Sequence, residues 1–244
     1  MKKLLILCIG LVYFSTSFAQ KNPEATEVWE PVPRIVTTGE PTTTNAPSDA
    51  IVLFDGKNFD QWVSASDNTN VKWKLEGDHM TVTANTGPIK TKKVFGDVQL
   101  HLEFRTPAVV KGEGQGRGNS GVFFQGIYEV QVLDNYENKT YPNGQCGAIY
   151  KQSIPLVNVC KKPGEWQSYD IVFIAPQFNA DGIKVASGYL TVIHNGVLIQ
   201  NHVEIKGTTE YIGQPKNIAH GDGAISLQDH GNPMSFRNIW LREL

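Results

Sequence analysis

Residues 118–135, GNSGVFFQGIYEVQVLDN, carry groups able to bind a ligand or move a proton inside what otherwise reads as strand. From Tyr128 the side chains alternate, with Tyr128, Val130 and Val132 on one face and Glu129, Gln131 and Leu133 on the other. At roughly 3.3 Å of rise per residue, Glu129 and Gln131 stand about 7 Å apart, close enough to touch one ligand. Just upstream, Asn119, Gly121, Phe123 and Gln125 share a face, and Gly116, Gly118 and Gly121 leave room for something to approach the backbone. The pattern predicts a concave sheet face lined with amides and one carboxylate. A strand whose polar face is simply solvated is the plainer alternative.

The rest of the chain supplies strands to hold that face. Residues 97–106, DVQLHLEFRT, alternate strictly, with Val98, Leu100, Leu102 and Phe104 opposite Gln99, His101, Glu103 and Arg105. Arg105 either joins Glu103 in a weak surface pair or stands beside the amide-lined face as a hydrogen-bond donor. Residues 71–82 predict a hairpin turning at Glu76-Gly77-Asp78. Residues 189–205 predict a clearer one at Asn195-Gly196, a pair suited to a two-residue turn with both φ angles positive. Trp166 to Ala175, Ala224 to Asp229 and Met234 to Arg242 complete about twelve strands with no convincing amphipathic helix and no internal repeat. The expected class is all-β, two packed antiparallel sheets.

Residues 1–19 have the form of a secretory signal: Lys2 and Lys3, an apolar run too short to span a bilayer, and small residues before Gln20. Cleavage after Ala19 is expected, giving an exported protein, periplasmic or extracellular, with no membrane span. It takes two of the 22 Lys and Arg and none of the 24 Asp and Glu, leaving a formal charge of −4 that disfavours nucleic acid as a partner. Residues 20–48, rich in Pro and Thr, read as an extended N-terminal extension, in which Val28, Trp29 and Ile35 could pack on the surface. One domain occupies 49–244. After processing, Cys146 and Cys160 are the remaining cysteines. In an exported chain such a pair is more often bonded than not, so a disulfide closing about 15 residues and contributing roughly 3 kcal/mol is expected, with buried free thiols as the alternative.

The segments LFDGKNFDQW (53–62), FGDVQLHLEFR (95–105), GNSGVFFQGIYEVQVLD (118–134), GAIYKQSIPLVN (147–158), KPGEWQSYDIVFIAPQF (162–178) and LQDHGNPMSFRNIWLREL (227–244) resemble the 3-keto-disaccharide hydrolase family in content and order. The resemblance implies a concanavalin-A-like (lectin/glucanase) jelly-roll sandwich. It also implies action on 3-keto-glycosides that a separate sugar 3-dehydrogenase has oxidised. A non-catalytic carbohydrate-binding module on the same fold is the alternative.

The residue pattern suits that chemistry better than ordinary glycoside hydrolysis, which needs two carboxylates flanking the bond. Here Glu129 is followed by Gln131 and Leu133, and Asp134 falls on the opposite parity. A C3 ketone acidifies the C2 hydrogen, so one base, one acid and a set of neutral donors suffice for elimination of the C1 oxygen, followed by water addition. Glu129 and His230 are the candidate catalytic pair, imidazole being the side chain that titrates near neutrality. His230 as a plain turn residue is the alternative. Asn119, Gln125, Gln131, Gln228 and Asp229, with Arg105, are the candidate substrate-binding set. No cofactor is required by the sequence. A divalent metal is possible if Glu129, Asp134, Asp229 and His230 converge.

Overall fold

The computed structural model describes residues 22–35 and 45–244. The predicted signal segment and its cleavage point lie outside these residues. The described residues contain fifteen strands and three short 3-10 turns, two of the strands, Gln177–Phe178 and Lys184–Ala186, forming a separate pair. The larger sheet is eight-stranded and antiparallel, ordered Val197–Ile205, Gly188–His194, Trp166–Ile174, Val98–Arg105, Ser235–Glu243, His79–Thr81, Lys74–Glu76, with Ile51–Phe54 also pairing to Ser235–Glu243. The smaller sheet has five strands in the order Trp62–Ser64, Ile89–Thr91, Ser226–Leu227, Ser120–Phe124, Tyr128–Val132.

The two sheets pack face to face because alternation aims one apolar row from each toward the other. Val122, Phe124, Tyr128, Val130 and Val132 from the smaller sheet are buried with Leu100, Leu102, Ile171 and Phe173 from the larger. The rings of Phe124 and Phe173 stack with centroids 4.7 Å apart. The expected two-sheet antiparallel sandwich is therefore the observed one. The Asn195-Gly196 hairpin also forms as expected, with φ of 51° and 79° at the turn.

Tyr128–Val132 ends the smaller sheet, yet it is not a bare edge. The chain returns along it at 147–150, where Gln131 N–H donates to Ala148 O, Gly147 N–H to Gln131 O and Tyr150 N–H to Glu129 O. Covering an edge with the protein's own backbone satisfies its ladder groups. Here it also carries the 141–150 loop over the strand that bears Glu129. The N-terminal extension is partly ordered against that loop: Asn143 Oδ1 accepts from Val28 N–H, Asn143 Nδ2 donates to Thr26 O, and Trp29 meets Tyr141 edge-on at 6.1 Å. Its apolar side chains stay largely at the surface, Ile35 being 74% exposed, so main-chain bonds rather than burial dock the segment.

Candidate active site

A cleft of about 580 Å³ opens over the outer face of the smaller sheet, with Glu129, Gln131, Asn119, Gln228 and His230 among its walls. The parity argument thus places Glu129 and Gln131 together, and both are buried, at 5% and 1% exposure; a solvated strand face is excluded. The 141–150 loop above them and Tyr211, from the segment after strand Val197–Ile205, line the same cleft.

Glu129 sits where Gly121 allows it. A β-carbon at Gly121 would collide with the Glu129 carboxylate oxygen and approach Phe123 to 2.9 Å. None of the described residues hydrogen-bonds this carboxyl, and burial pushes its pKa up to about 8. The amides around it are pinned on one side only. Gln131 Nε2 donates to Gln115 Oε1 at 3.0 Å and to Gly144 O at 3.2 Å, while its Oε1 is buried with no partner among the described residues. Gln228 is held by its backbone, N–H to Gly121 O and carbonyl to the Ser120 hydroxyl, and its Oε1 is likewise buried and unmatched. Asn119 donates through Nδ2 to Gln115 O at 2.7 Å. Two buried acceptors with nothing to accept from are costly unless a ligand hydroxyl arrives.

The opposite wall is phenolic. Tyr141 and Tyr150 share a 2.7 Å hydrogen bond between hydroxyls, and Lys151 lies 5.5, 5.8 and 5.0 Å from the ring centroids of Tyr141, Tyr150 and Tyr211. Burial, more than any neighbour, pushes Tyr150 up to about 12 and Tyr141 higher still, so both remain phenols; burial also lowers Lys151. Glu27, from the N-terminal extension, completes the rim. The sequence argument missed Glu27 and all three tyrosines. Tyr141 and Tyr150 sit in an aperiodic loop; the GAIY segment inside the family-like run was the only signal for Tyr150, and Tyr141 had none.

Other expected members lie elsewhere. Strand Ser120–Phe124 ends before Gln125, which turns with φ 53° and sends its amide toward Phe95 O, away from the cleft. Asp229 spends its carboxylate on three backbone donors, Oδ2 on Thr86 and Gly87 and Oδ1 on Gly231, fixing two loops. Arg105 lies on the large sheet, its guanidinium 4.7 Å from the Trp166 ring centroid and 3.2 Å from His79 Nε2. Nor does it pair with Glu103, which bonds Arg237 at 2.7 Å and Asn238 at 2.9 Å. Asp134 accepts from Arg117 Nε at 2.7 Å and from Tyr136 N–H, capping the turn beyond the strand. With Asp134 and Asp229 so engaged, the conceived Glu129, Asp134, Asp229 and His230 metal set does not assemble.

Arg105 and Asp134 line a separate hollow of about 620 Å³. Its size does not make it the better candidate. Asp134 and Arg117 neutralise each other and Arg105 is stacked, whereas the smaller cleft holds an unpaired buried carboxyl among unmatched amides, the combination that marks reactive sites.

Cys146 and Cys160 are free thiols, so the expected disulfide is not formed.

Fold and cleft together define a two-sheet antiparallel β-sandwich with a buried, unpartnered carboxyl in a polar cleft. Residues 49–242 match the 3-keto-alpha-glucoside-1,2-lyase-like domain family, and the chain belongs to that family, an enzyme of 3-keto-glycoside chemistry. It is 27% identical to the 3-keto-disaccharide hydrolase of Bacteroides thetaiotaomicron over 93% of this chain and 90% of that protein. A crystal structure from Parabacteroides distasonis, of a protein provisionally assigned as a glycosyl hydrolase, is 52% identical and superposes with a TM-score of 0.81 over 91% of this chain and 96% of that one. A second protein of that organism with the same provisional assignment is 26% identical, with a TM-score of 0.55 over 80% of this chain and 99% of that one.

Proposed function

We propose that the cleft cleaves 3-keto-glycosides by elimination, with His230 removing the C2 proton and Glu129 protonating the departing C1 oxygen. The observation that carries this division of labour is the Glu129 carboxyl: buried, unpartnered and raised to about 8, it holds its proton at neutral pH. His230 stands exposed at the rim, where a base can exchange its proton with water. The C2–H electrons first form the C2–C3 enolate with its charge on the C3 oxygen; its collapse restores the ketone, forms the C1–C2 double bond and breaks the C1–O bond, the leaving oxygen taking the Glu129 proton. Water then adds across C1 and C2, and the sum is hydrolysis. The Tyr141 and Tyr150 hydroxyls share one proton between them and keep a second free to donate to the enolate oxygen. Asn119, Gln131 and Gln228 position the sugar, their two unmatched amide oxygens accepting from its hydroxyls.

The substrate chemistry requires a sugar 3-dehydrogenase upstream, because an ordinary glycoside has no acidified C2 hydrogen. Export to the periplasm or beyond, with a mature start at Gln20, belongs to the same proposal and is supported by the charged, apolar and small-residue order of residues 1–19. The test is incubation with a 3-keto-glucoside and, in parallel, the unoxidised glucoside in deuterated buffer. Aglycone release from the ketone alone, with deuterium entering C2, is the expected result. Release without exchange would overturn the elimination route.

A further inference from the structure

Below the strand that carries Gln131, on the side away from the cleft, three soft ligands meet. Cys146, Cys160 and His194 each offer a ligand atom, and these atoms all lie within 4.8 Å of one another. We propose that these three side chains bind one zinc ion that ties the roof of the active-site cleft to the large sheet.

The geometry fits a metal better than a disulfide. A bonded pair needs its sulfurs about 2.05 Å apart, whereas both cysteines are thiols here. Tetrahedral zinc, with bonds of about 2.3 Å to sulfur and 2.0 Å to nitrogen, separates its ligands by roughly 3.5–4 Å, within the spread observed.

His194 is prepared as a ligand. Gln167 Oε1 accepts from Lys161 N–H at 3.0 Å, which fixes it as the oxygen of the amide. His194 Nε2, 3.1 Å from the same atom, must then be the protonated nitrogen, leaving the lone pair on Nδ1. A histidine oriented through its other nitrogen by a fixed oxygen is the outer arrangement that metal-binding imidazoles use. The ring packs against Phe104 and Tyr169, with centroids 5.6 and 4.8 Å away.

Charge selects the ion. Two thiolates and a neutral imidazole around zinc(II) sum to zero, so the centre can be buried without a counterion, whereas the same set around copper(I) would leave a net negative charge. On binding, both thiols release their protons to solvent. The fourth position falls to water or to Tyr169 Oη, 2.9 Å from Cys146 Sγ.

The three ligands come from different places in the chain. Cys146 belongs to the loop whose Tyr141 and Tyr150 wall the cleft, His194 ends the strand Gly188–His194, and Cys160 precedes the strand Trp166–Ile174. Tyr169 Oη also donates to Gln131 O at 2.8 Å, so the cluster adjoins the strand under the catalytic carboxyl.

The test uses the mature protein purified without chelator. Elemental analysis and native mass spectrometry should find one zinc per chain, and cobalt(II) exchanged into the site should show thiolate-to-metal charge transfer. Cys146→Ser and His194→Gln should each drop bound zinc at least tenfold and abolish the charge-transfer band. Cys160→Ser, at a half-buried position, provides a milder variant that retains the β-sheet circular dichroism if the others unfold. Absence of stoichiometric zinc together with absence of the cobalt band would overturn the proposal. So would an intact mass two hydrogens below that of the reduced chain, which would show the cysteines bonded.

Discussion

Replacing Glu129 with Gln should make the protein more stable and nearly inactive at once. The carboxyl is raised from 4.5 to about 8 by burial alone, so the folded state holds the proton more tightly than the unfolded chain. With the folded pKa above the unfolded one, the stability this group lends is complete below the unfolded value and is lost as pH rises through about 8. The same linkage gives the cost of carrying Glu rather than Gln: roughly 5 kcal/mol at pH 9, about 3 kcal/mol at pH 7 and under about 1 kcal/mol at pH 5. Gln is isosteric and uncharged, so Glu129→Gln should raise the melting temperature at pH 9, at about 2–4 °C per kcal/mol for a chain of this size, and leave it nearly unchanged at pH 5. The variant should also lose the acid that protonates the C1 oxygen, lowering turnover of a 3-keto-glucoside by at least about 100-fold. In the native enzyme kcat/KM should fall on the alkaline side with a midpoint near 8. Scanning calorimetry at the two pH values and a pH–rate profile check both halves. A stability gain over the native protein that is the same at both pH values, or a variant that keeps native turnover, would refute the argument that an unpaired buried carboxyl does the protonation.

His230→Ala should also cost at least about 100-fold in turnover, yet its exposed side chain leaves the melting temperature within a degree or so; steady-state assay and thermal melts separate the two effects. Asp134→Asn should behave oppositely, destabilising by about 3 kcal/mol through loss of the buried Arg117 pair while leaving kcat within a few-fold of native, read by urea unfolding and assay. Gly121→Ala should cut turnover sharply by displacing the Glu129 carboxyl, and Glu129→Ala in the same chain should recover the lost stability without recovering activity, measured as a double-mutant cycle.

The sandwich was legible because period-two alternation survives in most of its strands and because Asn195-Gly196 admits few conformations other than the turn it makes. Glu129 and Gln131 were legible for the same reason, parity being fixed by the pleat. Parity fails where the strand stops. Gln125 leaves the face because its φ is positive, and Asp229 was read as substrate-facing when three backbone N–H groups had already claimed it. Arg105 keeps its predicted face on residues 98–105, but that face belongs to the other sheet, and which sheet a strand joins depends on pairings remote in sequence. Tyr141, Tyr150 and Glu27 reach the cleft through aperiodic backbone, pinned where Asn143 bonds Thr26 and Val28 across more than 100 residues, and such contacts leave no periodic trace.

The N-terminal segment gives the cleft a property that the sandwich alone lacks. Residues 49–242 carry the family resemblance, but Glu27 stands on the rim from outside those limits, tethered through Asn143 and through Lys151 Nζ to Pro23 O. A protein trimmed to residues 49–242 would keep its sheets, Glu129 and His230, and would lose part of one bank of the channel. Two proteins sharing the same cleft residues on the sandwich could then accept ligands of different bulk through nothing more than the length and course of their leading residues.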